Sequence, residues 1–446
     1  MVPLTRIRQV LARLRRERLW LVPGMGVKRW LGLLLAGATL AGLGLAYLLI
    51  DIYRSDPMPP IASALTLQFL PRLLRALVFG VIGLALLLVA VAQINRTLLA
   101  PFVRPGQNVA DVVSEHRRRG RGPKVVAIGG GTGLATLLRG LKKRTSNITA
   151  IVTVADDGGS SGRLRQTLGV LPPGDFRNCL AALADDESLI TQLFQYRFGG
   201  ESQDLGGHSF GNLFITALAE VTGSFERALL VSSHVLNIRG RVLPSTLKDV
   251  TLVGELVGEG RLVNVVEGES RITAAPGAIQ RVSLRPDDAP AYPGAIRAIL
   301  EADLIVLGPG SLYTSLMPNL LVPDLAAAIR ASRALKVYVC NTATQPGETD
   351  GYSVLDHVRA IERHTGPGLF ATVLVNTSRR GELLAGLTWV PLDAGDDRKG
   401  APRLAPADLI DEQRPWRHDA EKLAQALFDL LANEQVSAPA FETTLN

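Results

Sequence analysis

The 446-residue chain contains only two cysteines, Cys179 and Cys340, which are far apart and form no CxxC pair. So little cysteine indicates a reducing compartment and argues against a structural zinc site. The sequence has no internal repeat. It is long enough for two or three units that each bury a core.

The sequence also lacks the two common nucleotide-binding signatures. A GxGxxG pattern that starts at Gly129 would need a glycine at position 134, where the chain has Leu134. No GxxxxGK[ST] segment is present, which argues against a P-loop NTPase. Near His208 and Ser209, no third side chain stands out that would complete a nucleophile–base–orienter triad.

Basic charge is concentrated in the N-terminal quarter. Residues 1–124 hold 18 Lys and Arg against 5 Asp and Glu, a net of +13, so the rest of the chain carries −6 of the total +7. This mildly acidic remainder argues against a nucleic-acid-binding protein, although the sequence pI is about 9.6.

Two runs without a charged residue, residues 30–50 and 76–94, are each close to the roughly 20 residues that cross a bilayer. Basic residues precede the first run and follow the second. By the positive-inside rule this predicts a plasma (inner) membrane protein with two spans and both termini in the cytoplasm. Because neither run contains an ionisable residue, we expect residues 1–100 to be an anchor and not a transporter. The alternative is two buried helices of a soluble protein.

A predicted linker, residues 101–123, joins the anchor to a large C-terminal part, residues 124–446. Its arginines either face anionic lipid or are solvated. The C-terminal part opens with an apolar strand, residues 125–128, then a glycine-rich loop and a helix. Glycines let a backbone approach a ligand closely, and a helix N-terminus offers N–H groups to a phosphate. The candidate nucleotide-binding residues are Gly129, Gly130, Gly131, Thr132 and Gly133.

A second apolar strand, residues 148–154, ends in a loop rich in Asp, Gly and Ser. In an open α/β sheet the ligand crevice lies beyond the carboxyl ends of the strands. These side chains suit a sugar hydroxyl or a metal bound to a diphosphate, and a plain Asp-Gly turn is the alternative. The candidates are Asp156, Asp157, Ser160, Ser161 and Arg163.

Polar residues also stand at two predicted helix starts. Asp175 is either a site residue or a helix cap, and Arg177 is a candidate phosphate clamp. His208 is flanked by glycines, so we expect it to face a ligand, whereas Asn212 either binds or caps. The candidates are Asp175, Arg177, Asn178, His208, Ser209 and Asn212.

Residues 232–282 have the pattern of short strands and turns, which predicts a β-rich insertion beside the cleft. Apolar strands resume at residues 302–307 and 336–340. The first of these ends in a glycine-rich loop, as residues 125–128 do, and we call these two loops the glycine corners: residues 129–133 and residues 308–311. Two such corners suit a nucleotide diphosphate. Helices over residues 354–363 and 416–431 are predicted to cover the sheet. The candidates are Gly308, Gly310, Ser311, Tyr313, Thr314, Asn341 and Gln345.

Several segments resemble the gluconeogenesis-factor (YvcK-type) proteins of the CofD-like superfamily, which also contains 2-phospho-L-lactate transferase. In chain order over residues 124–431 they are GGGTGLATLLRGLK, ITAIVTVADDGGSSGRLR, GVLPPGDFRNCL, GHSFGNLF, LPSTL, ADLIVLGPGSLYTS and CNTATQPGETDGY. The resemblance implies a Rossmann-like α/β fold, a mainly parallel sheet with helices on both faces. It also implies binding of UDP-sugars such as UDP-N-acetylglucosamine and a role in cell-wall precursor supply and cell shape during gluconeogenic growth. No enzymatic activity is established for that branch.

In the transferase branch a metal-binding aspartate follows the second strand, and Asp157 matches it by position. The resemblance therefore makes Asp157 the candidate ligand of Mg²⁺. In a transferase, Arg177 or His208 would stabilise developing charge, so the catalytic candidates are Asp157, Arg177 and His208. Typical members lack an N-terminal hairpin, so we expect this chain to act at the inner face of the membrane. Its expected partners are a UDP-sugar, the membrane, cell-wall synthesis proteins and a second copy in a homodimer.

Three hypotheses remain open at this point. The one we favour is a UDP-sugar-binding regulator without turnover. The second is a metal-dependent transferase that moves a phosphorylated group from a nucleotide diphosphate donor. The third is a membrane scaffold that binds no nucleotide.

Overall fold

The computed structural model describes residues 122–437, apart from 185–188, 200–204, 259–262 and 394–399, and a few isolated positions between residues 38 and 89. The chain divides into two units, Met1–Arg118 and Arg119–Asn446. Most of the two predicted membrane spans and of the linker lies outside the described residues. Among the described residues, no single helix has the length and apolar character to cross a membrane; one bent pair, Leu312–Leu320 with Pro323–Ala331, meets that test by length and composition only.

Twelve strands belong to the described part of the second unit. They are β1 (Val125–Gly129), β2 (Ile148–Val152), β3 (Arg241–Pro244), β4 (Thr251–Val257), β5 (Val263–Glu267), β6 (Ala278–Arg285), β7 (Leu304–Leu307), β8 (Leu335–Val339), β9 (Thr372–Asn376), β10 (Arg403–Ala407), β11 (Ile410–Asp411) and β12 (Arg414–His418).

Helices connect these strands. They are α1 (Gly131–Leu141), α2 (Gly159–Leu168), α3 (Gly174–Leu183), α4 (Leu189–Gln195), α5 (Phe210–Thr222), α6 (Phe225–Val235), α7 (Glu269–Ala274), α8 (Pro293–Leu300), α9 (Met317–Leu320), α10 (Pro323–Ala331), α11 (Val354–Thr365) and α12 (Ala420–Ser437). A π-helical turn, Leu312–Leu316, leads into α9.

The central sheet is parallel throughout and has the order β10-β9-β8-β7-β1-β2-β3. Every residue of β1, β2 and β7 is buried, so both faces of its centre are covered. The strand order reverses between β1 and β7, because β2 and β3 continue on one side and β8 to β10 on the other. This is the topological switch point, where open α/β sheets bind ligands.

The β-rich insertion is narrower than the predicted residues 232–282. Strands β4, β5 and β6 form a separate antiparallel sheet in the order β5-β4-β6 over residues 251–285. Residues 232–235 are the end of α6, and β3 pairs with β2 in the central sheet. The short apolar pattern of β3 is like that of the insertion strands, so the sequence did not indicate which sheet it joins.

The predicted helix over residues 416–431 begins too early. Trp416 lies in β12, which pairs antiparallel with β11, and α12 begins at Ala420. The Asp419 side chain accepts hydrogen bonds from the backbone N–H groups of Glu421 and Lys422 and so caps the helix after the strand. Trp416 precedes Ala420 by one helical turn, which explains why it extends the apolar spacing of α12.

Candidate functional site

A cleft of about 630 Å³ opens at the carboxyl ends of β1, β7 and β8, at the switch point of the sheet. The loops that follow these three strands supply most of its lining. The sequence candidates that line it are Gly130, Gly131, Thr132, Gly133, Asn178, Gly310, Ser311, Asn341 and Gln345. The cleft therefore joins both predicted glycine corners and the polar loop after β8.

The two glycine corners pack directly against each other. A Cβ atom at Gly133 would lie 2.5 Å from the carbonyl oxygen of Pro309 and 3.0 Å from Cα of Gly310. The backbone N–H of Gly308 donates to the carbonyl of Ile128 at 2.9 Å. Glycine is needed at position 133 because no side chain fits between the two backbones.

Asn319, in α9, connects the segments of the two glycine corners by hydrogen bonds. Its side chain is fully buried, and its Nδ2 donates to the carbonyl oxygens of Gly129 at 3.0 Å and Ser315 at 2.8 Å. These bonds add a side-chain donor to two backbone acceptors beside the packed corners; the Gly129 carbonyl also accepts from the Thr153 N–H at 3.2 Å.

The loop after β8 holds the second corner through amide side chains. Asn341 accepts from the Gly310 N–H at 3.3 Å and donates to the Gly310 carbonyl at 2.9 Å. Its side-chain amide therefore pairs with the Gly310 backbone as the backbone of a neighbouring strand would. Its Nδ2 also donates to Gln345 Oε1 at 3.0 Å, and Gln345 Nε2 donates to Ser311 Oγ at 2.8 Å. Asn341 and Gln345 therefore shape the cleft wall as well as line it.

Each corner already has a carboxylate at its helix start. Asp175 accepts a hydrogen bond from the backbone N–H of Gly131, and burial, followed by the charge of Asp156, raises the pKa of Asp175 to about 7. Glu348 accepts from the Tyr313 N–H at 3.1 Å and the Thr314 hydroxyl at 3.0 Å, and burial raises its pKa. An anionic ligand at the corners must therefore approach two internal acids.

This arrangement changes the interpretation of three candidates. Asp175 lies in the first turn of α3 but does not cap that helix, whose N-cap is Pro173 and has no side-chain cap; its side chain instead binds the first N–H of α1, at Gly131. Tyr313 and Thr314 are buried in the π-helical turn and do not line the cleft. Tyr313 packs inward with its hydroxyl 2.9 Å from that of Tyr352.

The Asp156–Asp157 loop lies beside the cleft and is held by its own side chains. Asp156 accepts from the Gly158 N–H at 2.9 Å, and burial raises its pKa. Asp157 accepts from the Ser270 N–H at 2.8 Å and so holds the first turn of α7. No group of three or more His, Cys, Asp and Glu side chains in the described part of the chain is arranged to hold a metal ion. A Mg²⁺ ion here would therefore need ligand phosphates in addition to Asp157.

Ser160, His208 and Asn212 form a buried chain of hydrogen bonds. Asn212 Nδ2 donates to Ser160 Oγ at 3.0 Å, and the same Oγ lies in a hydrogen bond with His208 Nδ1 at 2.9 Å. Burial, followed by the charge of Arg163, lowers the pKa of His208. His208 is only 7% exposed and lies outside the cleft lining, contrary to the expectation that it faces a ligand.

The remaining candidates are also held by protein contacts. Ser209 is the N-cap of α5 and accepts from the Asn212 N–H, so Asn212 is not the cap. Ser161 accepts from the Gly174 N–H at 3.0 Å, and Arg163 donates to the Gly206 carbonyl at 2.8 Å. These contacts connect the starts of α2, α3 and α5.

Arg177 is connected to the cleft by a hydrogen bond to Asn178. Its guanidinium is buried and donates to Asn178 Oδ1 at 2.7 Å, and Asn178 lines the cleft. Burial and the charge of Arg197 lower the pKa of Arg177, while Asp175 and Asp156 raise it. The Arg177 Nε atom is buried and has no partner among the described residues. Its charge offsets that of Asp175 and Asp156.

Sequence reasoning missed several residues that line the cleft. Those with polar or aromatic side chains are Thr136, Glu269, Ser315, Thr342, Thr344, Glu348, Trp416, Arg417 and His418. Glu348 stands in the segment that follows Gln345. In β12, Pro415 and His418 are buried and the two residues between them are more exposed, so this strand lacks the regular alternation that would have indicated it. Nothing in the local sequence indicated that α7 of the insertion brings Glu269 to the cleft.

Known proteins resemble this chain in sequence and in structure. Residues 125–432 match the family model described as 2-phospho-L-lactate transferase CofD. A protein named "Putative gluconeogenesis factor" from Nostoc sp. (strain PCC 7120) is 53% identical over 92% of this chain and 91% of its own length. The "Gluconeogenesis factor" of Bacillus subtilis (strain 168) is 46% identical over 70% of this chain and 99% of its own.

A solved structure agrees with the fold. The crystal structure of a member of the UPF0052 family from Bacillus halodurans has a TM-score of 0.63 and 45% sequence identity. It covers 69% of this chain and 99% of its own. The match supports the parallel sheet and its helices as the shared part of these proteins.

Proposed function

Because the chain belongs to the CofD family and is a close relative of the gluconeogenesis factors, we propose that it binds a UDP-sugar, such as UDP-N-acetylglucosamine, and regulates cell-wall precursor supply and cell shape during gluconeogenic growth. The observation that carries this proposal is the pair of glycine corners packed at the switch point. Two strand-end corners side by side suit the two phosphates of a nucleotide diphosphate.

The cleft walls support a ligand that extends beyond its phosphates. Trp416 offers an aromatic surface for a base, and Arg417 is an exposed cation beside it. Thr136, Asn178 and Gln345 supply neutral donors and acceptors that suit sugar hydroxyls. The volume of about 630 Å³ is within the usual range of small-molecule sites.

The proposed place of action is the inner face of the plasma membrane, with residues 1–100 as a two-span anchor and the α/β unit in the cytoplasm. This rests on the two uncharged runs and the basic residues around them. The relative from Nostoc matches 92% of the chain and that from Bacillus subtilis 70%, so the N-terminal quarter has counterparts in some relatives and not in others. Cell-wall synthesis proteins and a second copy of the chain are the proposed partners.

A second candidate function is a transferase that uses a nucleotide diphosphate donor. The acidic residues Asp156, Asp157 and Asp175 beside the corners favour it, because Mg²⁺ prefers carboxylate oxygens and ligand phosphates. Bound there, Mg²⁺ would neutralise charge that develops on the phosphates. His208 fits the role of catalytic base poorly, since it is buried and does not line the cleft.

Calorimetry on the full-length protein in a mild detergent separates these functions. UDP-N-acetylglucosamine, UDP-glucose, UDP, GDP and NAD are titrated with and without Mg²⁺. Binding of the UDP-sugars without a metal, with no release of free UDP over hours, is the result expected of the regulator. Binding only with Mg²⁺, followed by release of nucleotide when an acceptor is added, would establish the transferase. No binding by any ligand of the panel would refute both.

A further inference from the structure

Glu269 is an acidic residue of the cleft, and one of its two carboxyl oxygens has no hydrogen-bond donor among the described residues. It lines the cleft and occupies the first position of α7. Its Oε2 atom is buried and has no hydrogen-bond partner among the described residues. A buried carboxyl oxygen without a donor is costly, so a donor from a bound molecule would stabilise it.

The short helix α7 is held in place from two sides of the cleft. Asp157 binds the Ser270 N–H, and a Cβ atom at Gly268 would collide with the Asp157 carboxylate. On the other side, a Cβ atom at Gly347 would lie 2.5 Å from the Thr273 carbonyl oxygen, so the loop after β8 packs on the end of α7. These contacts fix the Glu269 side chain over the cleft.

The charges around Glu269 favour a neutral partner over a phosphate. Burial, and then the charges of Asp156, Asp175, Glu348 and Asp157, raise its pKa well above the usual range. A phosphate would add negative charge to this set, whereas a hydroxyl or amide N–H brings a donor without charge. A hydroxyl or amide N–H of the ligand is therefore the partner that suits Glu269.

We propose that Glu269 determines specificity for the sugar of a nucleotide sugar, by accepting a hydrogen bond from a sugar hydroxyl or acetamido N–H. This inference rests on the proposed function, because it requires a nucleotide sugar in the cleft. It assigns a site role to the insertion, which carries Glu269 on a segment outside the central sheet.

The test compares affinities for UDP and for UDP-sugars in the full-length protein. Wild type, Glu269→Ala and Glu269→Gln are titrated with UDP, UDP-glucose and UDP-N-acetylglucosamine. Glu267→Gln is the matched control, because Glu267 is on the same insertion and pairs with Arg285 at the surface. Thermal unfolding of each variant verifies that it is folded.

Glu269→Ala is expected to lower the affinity for the preferred UDP-sugar by about tenfold or more, the loss of one hydrogen bond to an acidic group. The UDP affinity should stay the same or rise, because UDP lacks the sugar and the variant removes an acid from the cleft. Glu269→Gln retains an acceptor oxygen and should lose less, and Glu267→Gln should match wild type.

Two results would overturn the inference while leaving the proposed function intact. One is equal loss of UDP and UDP-sugar affinity in Glu269→Ala, which would place Glu269 at the nucleotide. The other is an unchanged preference for the sugar in that variant. If wild type itself binds neither UDP nor a UDP-sugar, the proposed function fails and the inference fails with it.

Discussion

The contact between the glycine corners can be tested with one methyl group. In Gly133→Ala the new Cβ would lie 2.5 Å from the Pro309 carbonyl oxygen, whereas ordinary contacts begin at 3.4 Å. The corners must therefore separate by about 0.9 Å, the difference between those distances. Overpacking of this kind lowers the free energy of unfolding by about 1–3 kcal/mol. Alanine also has a higher helix propensity than glycine, which raises the free energy of unfolding by about 0.5–1 kcal/mol. The expected net loss in the free energy of unfolding is at most about 2.5 kcal/mol.

Ligand binding should fall further than stability in this variant. Backbone donors displaced by this distance leave the 2.7–3.2 Å range of N–H···O hydrogen bonds, and loss of one charged hydrogen bond weakens binding by about tenfold or more. The matched control is Gly140→Ala on the same helix, where the Cβ would collide with Ala420 of α12, away from the cleft. Thermal unfolding and calorimetry with UDP-N-acetylglucosamine measure both effects.

The comparison between the two variants is decisive. Gly140→Ala should be destabilised and, once folded, bind like wild type, whereas Gly133→Ala should lose affinity even at temperatures where it is fully folded. Wild-type affinity in Gly133→Ala would refute the placement of the phosphates at the corners. Equal loss of affinity in both variants would mean that binding simply follows stability.

Two further predictions concern side chains that support the corners. Asp175 has a raised pKa of about 7, so its folded form prefers the proton and its contribution to stability falls as pH rises from about 4 to 7. Asp175→Asn should therefore gain stability relative to wild type over that interval, by at most about 4 kcal/mol, and unfolding midpoints that shift in parallel across this pH range would contradict it. Asn319→Ala should lose about 1–3 kcal/mol, since it removes two buried hydrogen bonds, to the Gly129 and Ser315 carbonyls, although the Thr153 N–H still donates to Gly129. The nearly isosteric Asn319→Asp should lose at least as much in thermal unfolding; retained stability in Asn319→Asp would show that packing matters there and the donor does not.

The central sheet was predictable because its strands are continuous apolar runs. Residues 125–128, 148–154 and 302–307 each fall on a buried parallel strand, and a glycine or acidic loop follows each one. A strand that is buried on both faces is a continuous apolar run, so its assignment does not depend on an alternation of apolar and polar residues. A glycine at the end of such a run marks where the strand stops. The position of the cleft followed from the same pattern, since parallel strands bring their carboxyl ends to one edge.

Contacts between distant segments were not predictable. Ser160 and His208 are 48 residues apart, and Asp157 and Ser270 are 113 apart. The sequence shows each as a polar residue beside glycine, which is equally typical of a ligand site and of a buried hydrogen bond. His208 and Tyr313 were interpreted as facing the ligand, and both are buried because polar partners are available inside the fold.

The balance of charge at the cleft distinguishes a regulator from a transferase. Carboxylates already lie at both helix starts, Asp175 at Gly131 and Glu348 at Tyr313, and the chain beyond residue 124 is net negative. A diphosphate must therefore displace these acids, meet them protonated, or bring a cation. Arg177 and Arg417 provide two fixed positive charges near the cleft, which is enough to receive a diphosphate when Asp175 carries a proton. A regulator that works this way binds more tightly as pH falls through 7 and needs no metal. A transferase that relies on Mg²⁺ needs its acids ionised and binds more tightly as pH rises, so the sign of the pH dependence separates the two functions.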